Sequence, residues 1–110
     1  MKMNKRRLLG AIAVSFGALL SDSQAGNPHL IVQASRKFDP TEVAIRVGET
    51  LNISNRDGFI HEIYINADPM NFESNEQPPG QTVTVNFPFA GTFAVRCHIH
   101  PRMLLVVHVK

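Results

Sequence analysis

One octapeptide near the C-terminus concentrates the reactive side chains of this 110-residue chain. Arg96-Cys97-His98-Ile99-His100-Pro101-Arg102-Met103 holds the only cysteine, two of the five histidines and one of the four methionines. Cys97, His100 and Met103 fall at i, i+3 and i+6. Thiolate, imidazole and thioether are soft donors that suit copper. Two histidines and a cysteine with a weak axial methionine form a type 1, or blue, copper site. A second histidine must come from elsewhere. The first candidate is His61, in Asn55-Arg56-Asp57-Gly58-Phe59-Ile60-His61-Glu62-Ile63.

Alternation along the chain decides which of these side chains can meet. From residue 29 onward the apolar pattern has period two, which predicts strands rather than helices. His29 to Ala34 reads as a first strand of unclear phase. Lys37-Phe38-Asp39-Pro40 breaks it. Val43, Ile45 and Val47 alternate with Ala44 and Arg46, and Leu51 with Ile53 resumes after Gly48-Glu49. His61, Ile63 and Ile65 share a face. Residues 67–81 read as a long loop closed by Pro78-Pro79-Gly80. Val83, Val85 and Phe87 alternate, as do Phe93, Val95 and Cys97, and then Met103, Leu105, Val107 and Val109. Successive strand residues face opposite ways, so His61, Cys97 and Met103 all point inward at strand ends. His100 lies in the loop between the last two strands, where Pro101 limits the backbone's freedom. His98 is out of phase with Cys97 and is expected at the surface or in a local hydrogen bond. His108 and His29 are expected to be surface residues, and Met70 is the reserve axial donor. About seven short strands separated by turn signals predict an all-β antiparallel sandwich.

The N-terminus has a different character. Lys5-Arg6-Arg7 is a basic start, Leu8 to Leu20 is largely apolar, and Ser23-Gln24-Ala25 is a small-x-small site. That order predicts a secretory signal peptide over 1–25. The apolar run is short for a membrane anchor, which needs about 20 residues. Residues 26–110 would then be one small domain with seven Lys/Arg and eight Asp/Glu, a net charge of −1 against +2 for the whole chain. That balance argues against nucleic acid as a partner. Export places the domain in an oxidising compartment, the periplasm, where small domains often rely on disulfides. A single cysteine cannot form one internally, and metal coordination is one way to occupy such a thiol.

The spacing Cys97-x-x-His100-x-x-Met103, with Pro101 after the histidine, resembles the ligand loop of small cupredoxins, and of amicyanin most. Plastocyanin usually has a longer gap before the methionine. The resemblance runs from about His29 to the end. It implies a Greek-key cupredoxin sandwich and a non-enzymatic, diffusible single-electron carrier. It implies one type 1 copper held by His61, Cys97, His100 and Met103. It implies redox partner proteins of dehydrogenase or cytochrome type, a monomer, and electron exit through His100. Two positions depart from the pattern. Glu62 stands where many cupredoxins have an asparagine that braces the ligand loop. Arg102 stands where phenylalanine often belongs to an apolar docking patch, and a charge there would favour an acidic partner surface or weaken docking to an apolar one.

Three other readings use the same residues. A copper-delivery protein would have an identical ligand set. Cys97-His98-Ile99 resembles part of a multicopper oxidase motif, but Arg96 replaces a needed histidine and the further His-x-His pairs are missing. A zinc site of one cysteine, two histidines and water would leave Met103 without a role.

Overall fold

The computed structural model describes residues 29–110, and the segment read as a signal peptide lies outside them. Nine strands are present among the described residues, with no helix. They are β1 (His29–Ala34), β2 (Lys37–Asp39), β3 (Glu42–Ile45), β4 (Thr50–Asn55), β5 (Ile63–Ala67), β6 (Met70–Glu73), β7 (Thr82–Asn86), β8 (Gly91–Cys97) and β9 (Leu104–Val109). One sheet runs β3-β9-β8-β5-β6 and the other β2-β1-β4-β7.

The all-β two-sheet fold expected from alternation is the fold observed, with two more strands than counted from sequence. β2 lies in the segment read as a break, and β6 lies inside the stretch read as loop. Both are hairpin arms of three or four residues, paired Ala34↔Lys37 and Ala67↔Met70 across two-residue turns. Most pairings are antiparallel, but β1 runs parallel to β4 and β3 parallel to β9.

Alternate residues do fill the space between the sheets. Ile63 and Ile65 of β5, Val95 and Cys97 of β8, and Leu105, Val107 and Val109 of β9 are all buried, as are Leu51, Ile53, Val85 and Phe87. Burying each such side chain stabilises the fold by about 1.5–3 kcal/mol. Val47 is 47% exposed, contrary to the phase expected for it. β3 ends at Ile45, and the chain turns at Gly48 (φ 90°) before the alternation extends that far. In β1 the inward residues are Ile31 and Gln33.

Positive φ recurs in two further turns. The Ser35-Arg36 turn between β1 and β2 puts both residues there, at 54° and 58°. Such primed hairpin turns favour Asn-Gly, and non-glycine residues in this region cost about 1–3 kcal/mol each. The turn Pro78-Pro79-Gly80-Gln81 closes with Gln81 N–H donating to the Pro78 carbonyl, and Gly80 has φ 87°. Proline then glycine at the central positions is what a type II turn requires.

Candidate metal centre

The three donors of the cysteine and two histidines converge at one end of the sandwich. Cys97 is the last residue of β8 and pairs with Ile63 at the start of β5. Inward phase buries its side chain to 2% exposure. After Cys97 the chain leaves the sheet, and Met103 N–H returns to the His100 carbonyl at 3.0 Å. Pro101 sits at the second position of that turn, where its fixed φ is favoured. His61 precedes β5 and exchanges two backbone hydrogen bonds with Gln77, at 3.1 and 2.8 Å. It is fully buried, and His100 is half-buried.

His61 Nδ1 lies 3.6 Å from Cys97 Sγ, and His100 Nδ1 lies 3.9 Å from it. All three donor atoms fall within 4.8 Å of one another. These separations fit a shared ion. They are short enough for one ion to reach all three donors with metal–nitrogen and metal–sulfur bonds of about 2.0 and about 2.3 Å. Two imidazoles and a thiolate in this arrangement are a donor set for copper or zinc.

The side chains around the donors set their chemistry. His61 Nε2–H donates to Asp57 Oδ2 at 2.9 Å, which leaves the Nδ1 lone pair facing Cys97. Asp57 also accepts the backbone N–H groups of Ser35 (2.6 Å) and Arg36 (3.1 Å). Burial alone would raise the Asp57 carboxyl, but His61 and the two amides outweigh it and hold the group below its usual range. Burial comes first among the effects that hold the His100 imidazole below its ordinary value. The charges of His61 and Arg36 add to it, and Asp57 opposes. The Glu62 N–H points at Cys97 Sγ at 3.4 Å. The contact is made by backbone, so glutamate at this position still supplies it. Phe59 packs on both imidazoles, with ring centroids 5.4 Å from His61 and 5.2 Å from His100.

Behind His61 lies a buried polar network. The Gln77 side chain donates to the carbonyls of Ile53 and Gln81 and accepts from Gln33 Nε2, all at 2.8–2.9 Å. Asn55 Nδ2 donates to the Phe59 and Gln77 carbonyls, and Asn55 Oδ1 accepts from the Asp57 N–H. Sequence reasoning missed this network. The loop residues read only as turn formers, and a glutamine inside a loop gives no sign of burial. The one available signal was Asp57, since a histidine ligand commonly hands its second nitrogen to a carboxylate.

The remaining candidates separate cleanly. Met103 is buried at 2% exposure, one residue before β9. Met70, the reserve donor, pairs with Ala67 at the far end of β5, about 13 Å along the strand from Ile63 at about 3.3 Å per residue. His98 is exposed, accompanies Glu73 at 3.2–3.3 Å, and stacks on Tyr64 with centroids 3.8 Å apart. Its expected outward direction is observed. His108 contacts Glu42 and Thr92, and His29 lies 3.5 Å from Glu49.

A family model of copper-binding proteins, the plastocyanin/azurin family, matches residues 29–110. The chain is 24% identical over 110 residues to a chloroplastic plastocyanin of Hordeum vulgare, covering 89% of this chain and 71% of that one. It is 32% identical over 72 residues to a plastocyanin of Scenedesmus fuscus, covering 57% and 74%. It is 31% identical over 84 residues to the methylamine utilization protein MauL of Methylophilus methylotrophus, covering 74% of this chain but only 48% of that protein. Among solved structures, a reduced tryptophan-to-tyrosine variant of amicyanin superposes with a TM-score of 0.70 at 25% identity, covering 78% and 84%. A copper-containing nitrite reductase from Thermus scotoductus SA-01 superposes at 0.69 and 23% identity. It covers 76% of this chain and 22% of the reductase, a likeness of fold alone.

Proposed function

Because the chain belongs to the plastocyanin/azurin family of copper-binding proteins, we propose that it carries single electrons between redox partner proteins. One type 1 copper ion would be held by His61, Cys97, His100 and Met103. The observation that carries this reading is the buried meeting of His61 Nδ1, Cys97 Sγ and His100 Nδ1 at one end of the sandwich. When bound there, copper supplies a one-electron couple between Cu(I) and Cu(II).

The chain's own residues do the rest. Cys97 is fixed by strand register, and the Glu62 amide faces its sulfur. His61 is oriented by Asp57 and by paired backbone bonds to Gln77. Donors held this firmly change position little with charge state, which keeps electron transfer fast. His100, half-buried beside exposed Ile99 and Phe59, is the route to partners. Met103, buried and in phase with the core of β9, would be the fourth protein donor, a thioether that would tune the potential. With four protein donors the site offers no position for substrate, so the reading assigns no enzymatic activity.

The proposal extends to location. The basic, apolar and small-residue order over 1–25 is read as an export signal and 26–110 as the mature domain, a periplasmic monomer. No helix among the described residues is long and apolar enough to cross a membrane.

The optical spectrum of the copper-loaded, oxidised protein, beside Cys97→Ser, tests the reading. An intense visible thiolate-to-copper band, lost in the variant, together with a reversible potential is expected. A colourless protein with stoichiometric zinc overturns it. Tight copper binding without a reversible couple points to copper delivery instead.

A further inference from the structure

The turn between β1 and β2, with both central residues at positive φ, is bonded to the loop of the candidate metal centre. Asp57 holds the Ser35 and Arg36 amides with the carboxylate that orients His61. The turn is therefore tied directly to the loop that carries a candidate ligand. It projects Arg36 over the Phe59 ring, 5.1 Å from the centroid. Phe59 in turn lies against the His100 ring. Strain that persists in a fold is a reason to look for function.

Facing the turn is the loop from Ile99 to Arg102. Between them lies a groove of about 560 Å³, with Arg36 and Lys37 on one wall and His100 and Arg102 on the other. No acidic residue lines it. The nearby carboxylate of Asp57 is engaged with His61 and two amides. Residues 26–110 carry a net charge of −1, so three cations in one groove are a local concentration. Exposed Ile99 (44%) lines it, and Phe59 (37% exposed) lies beneath Arg36 and against His100.

We propose that this groove is the docking site for an acidic surface segment of the redox partner, a carboxylate side chain entering between Arg36 and Arg102 beside His100. Arginine's planar fork suits bidentate contact with a carboxylate. Clustered cations also steer an acidic partner to the edge where the electron leaves. The inference rests on the electron-carrier reading for its purpose, and on the turn, the groove and its charges for its location.

A charge-matched comparison tests it. The pair R36Q/R102Q removes two cations from the groove. The pair R46Q/K110Q removes two from the opposite end, where Lys110 N–H meets the Ile45 carbonyl. Oxidation of the reduced, copper-loaded protein by anionic hexacyanoferrate(III) should slow about tenfold at low salt in R36Q/R102Q. It should slow less than about twofold in R46Q/K110Q, and the difference should vanish at about 1 M salt. The cationic tris(phenanthroline)cobalt(III) should not slow. Equal slowing in both pairs would mean net charge alone acts and would overturn the proposal. A metal-independent readout separates this from the parent reading. Hexaglutamate peptide should shift the backbone amide NMR signals of residues 35–37 and of 99, 100 and 102, and R36Q/R102Q should abolish that shift. If the protein never shows the visible band, the carrier reading falls while the peptide titration still decides the groove. Absence of these shifts rejects it.

Discussion

The two histidines of the candidate metal centre are held in opposite ways. His61 is fully buried, bonded to a carboxylate through Nε2 and to Gln77 by two backbone bonds. His100 is half-buried on a loop closed by one turn, and its ring is supported by contacts with Phe59 and His61. One donor is thus part of the interior and the other part of the surface. A carrier needs both: a fixed wall that keeps the geometry constant, and a thin edge through which a partner can reach the ion. The contrast predicts that mutations on the His61 side act first on stability and those on the His100 side act first on reactivity.

The largest expected effect lies behind His61. Gln77→Ala removes a side chain that is fully buried and joined to Gln33, Ile53 and Gln81. Leaving buried polar groups without partners costs about 1–3 kcal/mol each. We expect a loss of about 3 kcal/mol in the metal-free protein, measured by urea unfolding. For a domain of this size that lowers Tm by roughly 12–24 °C. A loss below about 1 kcal/mol would mean that the network is not what braces His61.

How far this asymmetry was legible in the sequence depends on the kind of signal. Alternation carried the directions of His61, Cys97 and Met103, because a strand has only two faces and their neighbours are plainly apolar. It also turned His98 outward, as observed. Period two is the same for either strand direction, so the parallel partners of β1 and β3 were invisible. β2 and β6 were hidden because three or four residues rich in Asp, Asn and Lys look like loop. Asp57 and Gln77 were missed for a deeper reason. The bond from His61 to Asp57 spans only four residues and was within local reach, but the Ser35 partner of Asp57 and the Ile53 partner of Gln77 lie more than 20 positions away, and local composition records none of that.

A smaller effect is expected for Asp57→Asn. The amide keeps one acceptor but loses the charge that binds His61 and the two turn amides. A cost of about 1–2 kcal/mol at neutral pH is expected. Its pH dependence has a definite sign. The folded carboxyl titrates below its unfolded value of about 3.9. The stability it contributes is therefore complete above about pH 4 and is lost as pH falls through the folded value. Wild type and variant should converge in acid, monitored by denaturant unfolding from pH 7 to pH 2. A gap that stays constant over that range would mean the carboxylate's charge is not involved.

The smallest effect belongs to the surface donor. His100→Ala in the metal-free protein gives up ring contacts worth about 0.5–1 kcal/mol and no buried hydrogen-bond network. Here the linkage runs the other way from a histidine that gains a partner. The folded imidazole titrates below its ordinary value, burial being the main cause. Below about pH 6.5 the unfolded chain therefore binds a proton that the folded chain resists. This group costs the wild type stability as pH falls from about 6.5 through the folded value, and the variant is spared that cost. The wild-type advantage should shrink between pH 7 and pH 5 and can reverse, whereas the Asp57→Asn gap holds steady over the same window. Parallel unfolding curves for the two variants across pH 7 to 5 would erase the distinction between an interior and a surface histidine, and with it the reason for a partner to dock beside His100.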